Sequence, residues 1–144
     1  MMALSIAQPY ARLIVAGEKR VENRTWPPPE KYLGEVIAIH ASKSRAWLGT
    51  DMLPDPRGLV FGALLGTVRV LGYFRRHELA KYIFRHPTQA WLWDHRHVHG
   101  PICWVFEDAR AFDEPIPYRG QLGLFRVVID APRGAGEPSA RRGV

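Results

Sequence analysis

Apolar residues recur along the chain in short blocks, and the spacing within each block predicts its conformation. From Pro9 to Gly17 (PYARLIVAG) the spacing is helical, with Tyr10, Leu13 and Ile14 on one face. Proline is tolerated in the first turn, and Gly17 supplies the left-handed residue that ends a helix. Ala3 to Ile6 predicts a short strand or turn, and Arg20 to Arg24 alternates as a strand. The run WPPP at Trp26 to Pro29 predicts a loop. Gly34 to Ser42 (GEVIAIHAS) has branched residues at its centre and predicts a strand. Leu59 to Tyr73 predicts a second long β region, with Gly62 and Gly66 marking bulges or a sharp bend.

Helical spacing returns at Arg75 to Arg85, with Leu79, Tyr82 and Ile83 on one face. Pro87 stops it, and Thr88 is placed to cap a short helix running to Trp93. Ile102 to Phe112 and Leu122 to Ile129 predict two closing strands. Five or six strands with few helices do not alternate as βαβ units. The expected class is α+β, a small mixed β-barrel flanked by short helices.

Length and composition narrow this further. The 144 residues suit one domain, and a chain of that size buries about two-thirds of its unfolded surface. The single Cys103 excludes an intramolecular disulfide and any paired-cysteine metal knuckle, and fits a reducing cytoplasm. No apolar run approaches a membrane span, and the opening MMALSIAQPYARLI lacks the basic start of a signal peptide. The segment from Pro132 to Val144 has almost no apolar residues and is expected to be a disordered basic tail, leaving residues 1–131 as the domain.

Charge then points to a class of partner. The formal net charge is +6, and without the tail 17 basic residues still face 13 acidic ones. A basic body favours polyanions, nucleic acid being the commonest; the plainer alternative is charge that only aids solubility.

Three segments concentrate chemistry. Gly17 to Trp26 (GEKRVENRTW) sets Arg20, Glu22 and Arg24 on one face of an extended strand, with Lys19 at the turn before it. A carboxylate between two guanidinium groups can orient them while leaving donors for a phosphate, although a solvated charge ladder has the same spacing. Ile39 to Lys43 (IHASK) offers small residues, Ser42 and Lys43 at a strand end, with His40 inside the apolar run. There His40 reads as a buried, hydrogen-bonded histidine or as a base. Pro115 to Phe125 places Arg119 beside Gly120 and Gly123, without nucleotide-loop spacing.

Other candidates are weaker on chemistry. His95, His97 and His99 alternate but have no carboxylate or cysteine in a recognised ligand spacing, so they read as an exposed loop. His77-Glu78 does not extend to HExxH, because Lys81 stands at the second histidine. Cys103, Trp91 and Trp104 read as core. Trp26 and Trp47, each beside a motif, are candidates to stack on a base.

Taken together, LSIAQPYARLIVAGEKRVENRTW, IHASKS and GPICWVFEDARAFDEPIPYRGQLGLF resemble the ASCH domain (activating signal cointegrator homology) from about Ala3 to Ile129. The most specific piece is G-x-K-x-x-E-x-R, met by Gly17, Lys19, Glu22 and Arg24. The resemblance implies a PUA-like β-barrel with a cleft lined by that motif, and a role with single-stranded or modified RNA or a nucleotide. Lys19, Arg20, Glu22, Arg24, Trp26, His40, Ser42, Lys43 and Arg119 are the expected ligand-binding residues, with no metal and no cofactor. Some small ASCH proteins resemble amidohydrolases that deacetylate N4-acetylcytidine with a Lys, a Thr and a Glu; here Lys19 matches the Lys, and Glu22 stands at the Thr position. Others resemble ribonucleases. A hydrolase with Lys19 and Glu22 as catalytic residues is therefore the alternative to a cytoplasmic binding protein.

Overall fold

The computed structural model describes residues 1–48 and 58–129. The expected tail, Pro132 to Val144, lies outside the described residues. Strand β1 (Met2–Ile6) leads into helix α1 (Tyr10–Val15), then β2 (Val21–Arg24), β3 (Val36–Ala41) and β4 (Ala63–Arg75). Helix α2 (Leu79–Arg85), a 3₁₀ segment (Pro87–Asp94), β5 (Ile102–Pro117) and β6 (Leu124–Arg126) complete the order. The strands form one six-stranded sheet, β2-β5-β4-β3-β1-β6. It is a curled half-barrel with a few short helices, of the expected α+β class, and β2 and β6 are its edges. Only β1 and β3 pair in parallel, Ser5 opposite His40; the other pairs are antiparallel.

The curl comes from β4. Its register against β5 shifts three times, and Gly66 lies at one of the shifts. A Cβ at Gly66 would stand 2.1 Å from the Arg110 carbonyl oxygen, so only glycine lets the two backbones approach this closely. The bulge expected there is present, and it bends the strand.

Helix α1 packs on β3, β4 and β5 and buries Ala11, Leu13, Ile14 and Val15. Tyr10, expected on that face, is only half-buried. Gly17, at φ 81°, ends the helix as expected. The Glu18 and Lys19 amides both donate to the Leu13 carbonyl, and this closed turn delivers Lys19 to the head of β2.

A main apolar cluster joins α1 to the sheet through Leu4, Ile14, Ile39, Val68, Trp104 and Phe106. A second lies under α2 and the 3₁₀ segment, where Phe74, Tyr82, Ile83, Leu92 and Cys103 meet. Cys103 and Trp104 are buried as the sequence indicates, whereas Trp91 is half-buried. The cap expected at Thr88 is absent: the 3₁₀ segment starts at Pro87, with His86 preceding it and no side-chain cap. No helix among the described residues is long and apolar enough to cross a membrane.

Candidate functional site

The turn after α1 and the strand β2 open onto a cavity of about 610 Å³. Lys19, 3% exposed, lies at its floor, and its ammonium donates to the Val21 carbonyl and to Glu22 Oε1. Glu22 Oε2 accepts from Arg24 Nε at 3.1 Å, and Arg24 Nη2 donates to the Ser5 carbonyl on β1. Both oxygens of Glu22 are thus committed, one to each cation. A buried carboxylate with two such partners keeps its charge compensated, and it holds the two cations in fixed positions.

Aromatic rings stand above this floor. Tyr10 lies 5.4 Å from the Lys19 ammonium, measured to the ring centroid, and Trp47 packs against Tyr10 at 5.9 Å between centroids. The opposite wall is the segment carrying Arg96, His97 and His99. Asn23 on β2 fastens that segment: its Nδ2 donates to the His97 carbonyl, and its Oδ1 accepts from the His99 and Gly100 amides.

The exposed-loop reading holds for His99 and is corrected for the other two histidines. His97 is 8% exposed and lines the cavity, and His95 is half-buried, with its Nε2 accepting from the Arg20 amide. Burial first, and the Lys19 charge second, push both imidazoles down to about 4, so both are neutral at pH 7. Among the described residues no group of three or more His, Cys, Asp or Glu side chains could hold a metal ion. Extended spacing showed that His95 and His97 alternate with Arg96. It held no sign of Asn23, which is what turns the segment inward.

Arg20 departs from the sequence expectation. Strand β2 begins at Val21, so Arg20 does not share the face of Glu22 and Arg24; its guanidinium lies 3.7 Å from the Trp91 ring centroid instead. Trp26 lines neither this cavity nor the next one. It packs edge-on against Trp104 at 5.0 Å, and its carbonyl accepts from Trp104 Nε1. Of the two tryptophans considered for stacking, Trp47 is the one in the cavity wall.

A second cavity, about 790 Å³, adjoins the first at Ser5 and gathers His40, Ser42, Lys43 and Arg119. His40 is 2% exposed and fully hydrogen-bonded. Its Nε2 lies 2.8 Å from the Tyr118 carbonyl, which can only accept, so Nε2 carries the proton. Nδ1 then accepts from the Ser5 hydroxyl at 3.2 Å. Burial outweighs the Tyr118 bond and lowers the His40 pKa. Gly120 sits directly on this ring: a Cβ there would be 2.4 Å from His40 Cε1.

The ASCH domain family model matches residues 4–116, most of the chain, including Lys19, Glu22, Arg24 and His40 but not Arg119. The chain belongs to the ASCH domain family. Its fold is similar to the crystal structure of ASCH from Zymomonas mobilis, at 16% identity and a TM-score of 0.53, over 86% of this chain and 85% of that one. Two single-substitution variants of the Zymomonas protein match similarly. One has 17% identity and a TM-score of 0.51, covering 86% and 85% of the two chains; the other has 16% and 0.53, covering 86% and 87%. These likenesses carry the fold. Comparison with curated proteins finds no match. In this ASCH domain the G-x-K-x-x-E-x-R motif is a buried ion chain along a cavity floor, with Gly17 making the turn and the other three side chains forming the chain.

Proposed function

We propose that this ASCH protein binds single-stranded or modified RNA, or a nucleotide from it, with a base in the first cavity and phosphate toward the second. One observation carries the reading: the rings of Tyr10 and Trp47 face a floor of two cations held by one carboxylate. Aromatic faces accept a base by stacking, and fixed donors accept its carbonyl oxygens. Lys43 and Arg119, across Ser5, add the cations that a phosphate backbone seeks. Cavities of this size are usual for small ligands.

The test is titration of a short single-stranded RNA at several salt concentrations. A log–log slope of roughly −0.7 per contacted phosphate is expected, and Lys43→Ala with Arg119→Ala should flatten it by about 1.4. A salt-independent affinity would remove the basic cleft from the account.

The alternative is hydrolysis of the same ligands, with Lys19 and Glu22 as catalytic residues. The ion chain speaks against it. Lys19 already donates to two acceptors, and each Glu22 oxygen already accepts from a cation, which makes the carboxylate a weaker base. Binding without turnover of N4-acetylcytidine or RNA is the expected outcome, and product release lost in Lys19→Ala and Glu22→Gln would reverse it.

A further inference from the structure

Among the described residues that line the first cavity, the charged donors outnumber the carboxylates. Lys19, Arg24 and Arg96, whose side-chain polar groups are all donors, line it. Its carboxylate is engaged at both oxygens, since Glu22 accepts from Lys19 with one and from Arg24 with the other. Asn23 is spent at both ends of its amide, on the His97 carbonyl and on the amides of His99 and Gly100. Ser5 gives its hydroxyl proton to His40.

His97 stands apart. It is 8% exposed, it lines the cavity, and its ring nitrogens make no hydrogen bond to any described residue. Among the described residues no fully buried side-chain nitrogen or oxygen lacks a partner, so the ring nitrogens of His97 are open to the cavity, where a ligand can reach them. The residue cannot easily turn away. Its backbone is tied to Asn23, and its ring is held edge-on between Tyr10 at 6.5 Å and His95 at 5.6 Å, centroid to centroid. A neutral imidazole has one N–H and one unprotonated nitrogen, and the second gives the cavity an acceptor on a buried, fixed ring, whereas the other imidazole in its lining, His99, is exposed.

We infer that His97 is a specificity-determining residue, whose unprotonated ring nitrogen accepts an N–H from the edge of a nucleobase bound in the first cavity. This inference rests on the nucleotide-binding reading above and narrows it. The ligand it selects is a planar heterocycle carrying a carbonyl for the cations and an N–H on the same edge for His97, as the Watson–Crick edges of uracil and cytosine do. A phosphate has no N–H to offer, so His97 contributes nothing to backbone binding.

Two pairs of probes isolate that N–H. Cytidine is compared with N4,N4-dimethylcytidine, and uridine with 3-methyluridine, by calorimetric titration of the wild type and of His97→Ala, His97→Phe and His97→Gln. The wild type should prefer the N–H-bearing member of at least one pair by about 10-fold, the worth of one well-made buried hydrogen bond. His97→Ala and His97→Phe should erase that preference. His97→Gln, which retains a carbonyl acceptor, should keep part of it. Phenylalanine fills the site and glutamine keeps its polarity, so the comparison stands even if the alanine variant does not fold. The salt slope for RNA should be the same in every folded variant. A wild type indifferent to methylation, or a preference that persists in His97→Ala and His97→Phe, overturns the role of His97 and leaves RNA binding standing. A wild type that binds neither the nucleosides nor RNA overturns both.

Discussion

The Lys19 ammonium and Glu22 Oε1 are 3.0 Å apart, with the lysine side chain 3% and the glutamate side chain 10% exposed. Removing one partner of such a pair leaves the other charge buried and uncompensated. Glu22→Gln is therefore expected to cost about 3 kcal/mol, seen as a Tm roughly 10 °C lower. In a double-mutant cycle, Lys19→Met with Glu22→Gln should cost less than the sum of the single changes. A Glu22→Gln protein as stable as wild type would mean that the chain is solvated in solution.

Acid should weaken the fold through the histidines of the cavity wall. His95 and His97 are lowered from 6.5 to about 4 in the folded protein, so between those values the unfolded chain binds more protons than the native one. Their contribution is fully present above pH 6.5 and is lost as pH falls toward 4. Lowering the pH from 7 to 5 should reduce the unfolding free energy by on the order of 1 kcal/mol per histidine, allowing for their partial solvation. His40, lowered in the same direction, adds to the slope. Urea unfolding at the two pH values checks it, and His95→Gln with His97→Gln should flatten the difference.

Two tryptophans that look alike in sequence should fail differently. Trp26→Ala removes the ring packed on Trp104 and should cost about 2 kcal/mol of stability with little direct effect on ligand. Trp47 is 51% exposed in the cavity wall, so Trp47→Ala should leave Tm nearly unchanged and weaken RNA binding by about 1–3 kcal/mol. Thermal melts beside RNA titrations separate the two.

Gly120→Ala tests the second cavity. The added methyl would lie 2.4 Å from His40 Cε1 and 2.8 Å from Nδ1, so the ring must shift and loosen its bonds to Ser5 and Tyr118. A loss of about 1–3 kcal/mol is expected, with a displaced His40 resonance in the NMR spectrum. An unshifted resonance would show that the 118–122 segment gives way instead.

Local pattern carried much of this architecture. The helix at Tyr10, the strand at Val36, the bulge at Gly66 and the left-handed Gly17 each follow from residues close in sequence. The motif side chains Lys19, Glu22 and Arg24 were legible for the same reason, since a turn and a short strand bring them together. Arg20 was misplaced because strand periodicity was carried one residue too far, past the start of β2 at Val21. The inward turn of His97 could not be read at all. It depends on one amide, Asn23, reaching a segment more than seventy positions away. The gathering of Ser5, His40 and Tyr118 likewise needs β1 beside β3, a pairing that no local signal encodes.

The order of strands in the sheet also governs how quickly the protein can form. Met2 pairs with Arg126, and Val21 with Val105, so both sheet edges close between segments from distant parts of the chain. Each closure costs loop entropy before any contact repays it. The cavity inherits this delay, because its floor on β2 and its wall at Arg96–His99 meet only when β5 docks against β2. Refolding should accordingly run in milliseconds to seconds, as in other β-rich domains with distant partners, and ligand-binding competence should emerge only with the slow, global step.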